Sequence, residues 1–191
     1  MKHYVLIFFL LVTSLRILVA AEPHNDIGGD PSPHSIWEDD SSLLNYHGMC
    51  TDLKEGETPL HRAAEKGDLI LLRIALYYNK LAINQKDADG NTPLHKAVFH
   101  QHWDCANELL RNGALVNEKG NFGYTALHLV AIYGEAVGAA LLLFYNANKH
   151  IKDDDQYEPR EYVLSIHKDI LSFFDGGLPT DVVQELKKRF L

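Results

Sequence analysis

Eleven histidines in 191 residues are the first feature that could do chemistry. His100-x-His102-x-x-Cys105 is the densest group, and imidazole with thiolate is the donor set of zinc sites. Three converging ligands are not evident there, and Cys105 falls on an apolar column described below. A metal-dependent protein built on this cluster is the alternative reading. Asp153-Asp154-Asp155 offers carboxylates for calcium, but it lacks the glycine and distal glutamate of a calcium loop. It reads as an acidic, solvated loop tip. No glycine-rich phosphate loop, nucleophile elbow or paired catalytic carboxylates occur. No catalytic residue, no metal ligand and no cofactor are therefore expected.

Three other histidines recur in a fixed context. Thr58-Pro59-Leu60-His61 returns as Thr92-Pro93-Leu94-His95 and as Thr125-Ala126-Leu127-His128, at spacings of 34 and 33 residues. A worn fourth copy, Glu158-Pro159-Arg160-Glu161, keeps only the proline. Gly56, Gly90 and Gly123 stand two residues before each threonine. Downstream come the small pairs Ala63-Ala64, Ala97-Val98 and Val130-Ala131. Leucine-rich or alanine-rich runs follow and end at Asn79, Gly113 and Asn146. Glycine and asparagine adopt the left-handed conformation that ends many helices, so all three positions are read as helix ends.

Elements must hold these columns in register. Threonine can cap a helix with its hydroxyl, and proline suits the first helical position. One repeat cannot bury its own apolar face, so at least about three must stack. The pattern Gly-x-Thr-Pro-Leu-His-x-Ala-Ala, with Gly113-Ala114-Leu115-Val116-Asn117 further on, closely resembles the ankyrin repeat over residues 53 to about 175. The resemblance implies an all-α solenoid: a β-turn finger and two antiparallel helices per repeat. It also implies that the repeated histidine is a scaffold residue, bonding near the next finger.

Three repeats are assigned to residues 53–156 and a degenerate fourth to 157–177, where Asp169, Ser172 and Asp175 interrupt the apolar column. Gln101 and Gln156 replace expected glycines. Residues 178–191 form a capping helix, with Thr180 placed to cap it and Val182, Val183, Leu186 and Phe190 as its apolar stripe. Residues 37–52 read as an N-terminal capping segment and 22–36 as a flexible linker.

Residues 1–21 carry Lys2, an apolar run from Val5 and the small residues Val19-Ala20-Ala21, the three-part form of a secretory signal cleaved before Glu22. Arg16 interrupts the apolar stretch, and an uncleaved membrane anchor is the other reading. The formal net charge of −8 disfavours nucleic acid and anionic lipid. Two cysteines are too few for a disulfide-stapled fold.

In ankyrin proteins, partners usually touch the fingers and the exposed positions of the first helices, on the concave side. The first repeat places Arg62, Glu65 and Lys66 there, and the second Lys96, Phe99 and His100. The third places Leu129, Ile132 and Tyr133, with Phe122 and Tyr124 on its finger and Tyr157 on the next. Nothing in the scaffold demands apolar residues at these positions. Phe99, His100, Phe122, Tyr124, Leu129, Ile132, Tyr133 and Tyr157 are thus the expected protein-binding patch, unless the fourth repeat and the last helix fold over it. The expected molecule is a secreted or periplasmic, monomeric, non-catalytic binding protein.

Overall fold

A computed structural model describes residues 53–163 and 168–190. The signal, linker and N-terminal capping segment expected over 1–52, with Cys50, lie outside the described residues. Three helix pairs follow one another: α1 (Pro59–Lys66) with α2 (Leu69–Asn79), α3 (Pro93–Phe99) with α4 (Trp103–Arg111), and α5 (Ala126–Tyr133) with α6 (Ala136–Phe144). No strand occurs among the described residues. First helices α1, α3 and α5 stack side by side, and α2, α4 and α6 form a second layer behind them. Leu60, Leu94 and Leu127 are fully buried at equivalent places between the layers. Each contributes about 2 kcal/mol by leaving water. The small pairs beside them, Ala63-Ala64, Ala97-Val98 and Val130-Ala131, are also fully buried and let the helices close up.

The repeated threonine and histidine build the joint between repeats. Thr58, Thr92 and Thr125 precede their helices in extended conformation. Each threonine hydroxyl lies 2.8–2.9 Å from Nδ1 of the histidine three residues on, and the threonine N–H donates to the same nitrogen at 3.1–3.3 Å. The far nitrogen, Nε2, reaches the next finger: His61 to the Asn91 carbonyl (2.9 Å), His95 to Tyr124 (3.0 Å) and His128 to Tyr157 (3.2 Å). A carbonyl only accepts, so Nε2 carries the proton and the neutral ring accepts at Nδ1. Burial pushes all three histidines below their ordinary pKa, His95 to about 4.

Left-handed backbone closes most of the turns. Gly67 and Gly134 end α1 and α5, and Gln101 (φ 60°) takes their place after α3. Gly113 and Asn146 are left-handed after α4 and α6, as expected. Asn79 also ends its helix, α2, but without the left-handed conformation: its φ is −145°, and a 3-10 turn, Lys80–Asn84, follows. Ala82 and Ile83 of that turn are buried.

The fourth repeat keeps only part of the plan. Its first helix is reduced to a 3-10 turn, Pro159–Tyr162, packed on α5, and its second is α7 (Lys168–Gly176), packed on α6. Glu161 stands where the histidine was, and its carboxylate accepts the Glu158 N–H at 2.6 Å. Ile170, Phe173 and Phe174 are buried, while Ser172 and Asp175 face out. A last helix, α8 (Thr180–Phe190), starts at Thr180 itself rather than being capped by it. It caps the second layer by lying against α6. Its final carbonyl, on Phe190, accepts from Asn107 of α4 at 3.2 Å.

The acidic run also differs from expectation. Asp154 and Asp155 are exposed, but Asp153 is buried. It accepts the Tyr157 N–H at 2.9 Å and the Tyr162 hydroxyl at 2.6 Å. Burial works against its charge, yet these hydrogen bonds outweigh that and hold its pKa below the ordinary carboxylate value. Asp153 is thus the clamp of the fourth finger, as Asp87 is of the second, where it accepts from the N–H groups of Asp89 and Asn91. Gly120 occupies this column in the third finger, which therefore has no such clamp.

Candidate functional site: a groove between the second and third repeats

The inner face of α3 and α5 and the fingers before them enclose a groove of about 470 Å³. Leu129 and Ile132 of α5 are half-buried and form its floor. Phe99, at the end of α3, meets Tyr133 edge to face, with ring centroids 5.7 Å apart. Phe99 also meets His100 at 5.1 Å, and His100 stacks on His102 at 6.1 Å. On the finger side, Phe122 and Tyr124 lie 6.1 Å apart.

Seven of the eight residues expected from the sequence therefore line one groove: Phe99, His100, Phe122, Tyr124, Leu129, Ile132 and Tyr133. Tyr157 does not line it. It projects from the fourth finger, half exposed, with its ring 6.0 Å from Tyr162. The fourth repeat meets the patch at Tyr124, which Tyr162 approaches edge-on at 5.6 Å. α7 and α8 pack against α6 in the second layer.

Two features of the third finger shape the groove. Phe122 is left-handed at φ 55° and 67% exposed, an unfavourable backbone for an aromatic residue without compensating burial. Gly123, also left-handed, sits so close to Asp154 that a Cβ there would collide with its carboxylate. The fourth finger thus props the third, through this contact and through the Asp154 N–H, which donates to the Phe122 carbonyl at 3.2 Å.

Asp89 and Asn121 also line the groove, and the sequence reading passed over both. Asp89 occupies the same finger position as Phe122, one residue before the glycine. That column reads Glu55, Asp89, Phe122, Asp155, so alignment of the finger tips would have found it.

The histidine cluster does not assemble a metal site. His102 Nε2 donates to the Glu65 carbonyl at 3.1 Å, and Cys105 is buried, its thiol pushed up to about 11 by burial and nearby carboxylates. Among the described residues, no group of three histidine, cysteine or acidic side chains is placed to hold a metal ion. Among the same residues, no helix is long and apolar enough to cross a membrane.

Comparison with known proteins agrees with this architecture. The family model for ankyrin repeats in three copies matches residues 41–119 and 76–153. Ankyrin repeat domain-containing protein 13C of Xenopus tropicalis is 29% identical over 164 residues, covering 76% of this chain and 32% of that protein. Alpha-latrotoxin-Lg1a of Latrodectus geometricus is 34% identical over 154 residues, 79% of this chain and 11% of its own length. A Caenorhabditis elegans homolog of transient receptor potential cation channel subfamily A member 1 is 38% identical over 129 residues, 66% and 10% of the two chains. This chain thus spans a third or less of the length of these relatives. Ankyrin repeats are generally non-catalytic modules for protein–protein interaction. With its three helix pairs, the histidine joints between them and the family match over the same residues, the chain belongs to the ankyrin-repeat family.

Proposed function

We propose that this chain is an exported ankyrin-repeat protein that holds a protein partner in the groove between its second and third repeats. The observation that carries the reading is aromatic surface where the scaffold needs none. Phe99, Phe122 and Tyr133 are 51%, 67% and 40% exposed around one concavity. Clustered exposed aromatics mark protein interfaces, and aromatic anchors supply much of the binding energy at their centres. Tyr157 extends the patch along the fourth finger. Export rests on the apolar run after Lys2 and on Val19-Ala20-Ala21. A monomeric state after cleavage, with no membrane attachment, belongs to the same reading.

The test is photo-crosslinking in the exporting cell and in the medium it conditions. A photoreactive amino acid replaces Tyr133 in one variant and Ile70, exposed on α2, in a control. Covalent adducts with a defined protein from the Tyr133 position alone are expected. Equal adducts from both positions, or none from either, overturn the groove as the binding site. N-terminal sequencing of the exported chain should begin at Glu22. An intact Met1 would replace the cleaved signal by a membrane tether.

A further inference from the structure

We infer that the groove takes a basic peptide segment, one that sets an arginine or lysine beside a large apolar residue. This rests on the groove being the binding site and names the chemistry of what enters it. A second, smaller concavity adjoins the aromatic groove on the first-repeat side, and the two share Glu65, Asp89 and Lys96. Carboxylates dominate that second concavity: Glu55, Glu57, Glu65, Asp87 and Asp89, against Lys54 and Lys96.

Internal pairing leaves the excess negative. Arg62 binds Glu57 at 3.1 Å, and Lys96 binds Asp87 at 2.9 Å. Asp89 lies 3.9 Å from Lys96, with its side chain 70% exposed. Glu55 and Glu65 have no salt-bridge partner among the described residues, and Lys96, which also feels the charge of Glu65, is already bound to Asp87. The finger tips repeat the theme, since Glu55, Asp89 and Asp155 occupy the column that Phe122 breaks. Lys86, Lys119 and Lys152 of the fingers line neither concavity.

An entering segment therefore meets aromatic faces at one end and unneutralised carboxylates at the other. A guanidinium or ammonium satisfies both: it is attracted to the ring faces of Phe99 and Tyr133 and to Glu65 and Asp89. An acidic segment would be repelled at the carboxylate end. A purely apolar one would fill the floor over Leu129 and Ile132 and leave the carboxylates unused.

Selection from a random 12-residue peptide display library on the immobilised mature chain tests this. The expected result is an excess of arginine and lysine, about threefold or more over the input library, next to leucine, isoleucine or an aromatic residue. The excess should disappear on the Glu65→Gln, Asp89→Asn double variant and should shrink in 0.5 M salt, where the Debye length falls to about 4 Å. The double variant alters only surface carboxylates, and its melting curve verifies the fold. Retained peptides that are neutral and apolar, and that Phe99→Ala no longer holds, overturn the basic partner while leaving the groove as the site. An unchanged basic excess on the double variant, or no retained peptide above background, also overturns it. Loss of the Tyr133 crosslink, by contrast, would strike the proposed function itself.

Discussion

Phe99 and Tyr133 lie edge to face across the seam between α3 and α5, so the centre of the groove is also a contact between repeats. Tyr133→Ala should therefore do two things. An aromatic pair of this geometry contributes about 1 kcal/mol, and the stability loss in urea should be of that size. Partner binding should fall by about 2 kcal/mol or more, as for a central anchor. A large stability loss with unchanged crosslinking or capture would make the pair structural only.

Phe122→Gly should separate stability from function. The left-handed backbone at this residue costs an ordinary side chain about 1 kcal/mol, which glycine avoids. Greater freedom of glycine in the unfolded chain offsets part of that gain. A small net stabilisation, about 0.5 kcal/mol, is expected together with weaker partner binding. Destabilisation on denaturant titration would mean that the exposed ring contributes packing after all.

Acid should loosen the joints between repeats. His61, His95 and His128 have folded pKa values below the ordinary 6.5, because burial disfavours the charged ring. The unfolded chain then binds more protons than the folded one, so stability falls as pH drops below about 6.5. The fall continues to about 4 for His95, which alone accounts for a loss on the order of 3 kcal/mol. Asp87 and Asp153, held below 3.8, add their share only at lower pH. Denaturant titrations from pH 7.5 to 4.5 should show the decline, and His95→Gln should flatten it. A flat wild-type profile over that range would contradict the neutral-ring geometry.

Gly138 sets two effects against each other. It lies inside α6, where alanine would favour the helix by about 1 kcal/mol. A Cβ there would run into the Trp103 ring and come within 2.7 Å of Val130. Overpacking of this kind costs about 1–3 kcal/mol, so Gly138→Ala should destabilise on balance. Adding Trp103→Leu should recover part of the loss by making room. A higher melting temperature for Gly138→Ala alone would show that the ring moves aside freely.

The repeat plan was legible because the same physical requirement recurs three times. Thr58, Thr92 and Thr125 each meet the same capping need, and His61, His95 and His128 each meet the same need to hold a finger. The groove was legible for a complementary reason. Phe99, Ile132 and Tyr133 occupy positions that Glu65 and Lys66 show to be free of any packing demand. What the sequence hid depends on single-copy contacts. Asp153 looked like a solvated acid because its neighbours are acids, and its burial follows from Tyr162, nine residues on. Asn79 ends its helix as its column suggests, but the 3-10 turn that follows, with buried Ala82 and Ile83, takes the place of a left-handed cap. Tyr157 drew attention by its register, whereas the shortened helix behind it turns the ring toward Tyr162.

The histidine joints run one way. Each is rooted in its own repeat and grips the one that follows, so every finger after the first is held from behind. Glu161 ends the series, because its carboxylate turns back to the Glu158 N–H and carries no proton donor to extend forward. The array consequently has a polarity that an external pull would feel. Tension on the C-terminal side would draw the fourth finger off the His128 bond first, then the third off His95, releasing the repeats in order. Tension on the N-terminal side would first meet the His61 bond from its rooted end.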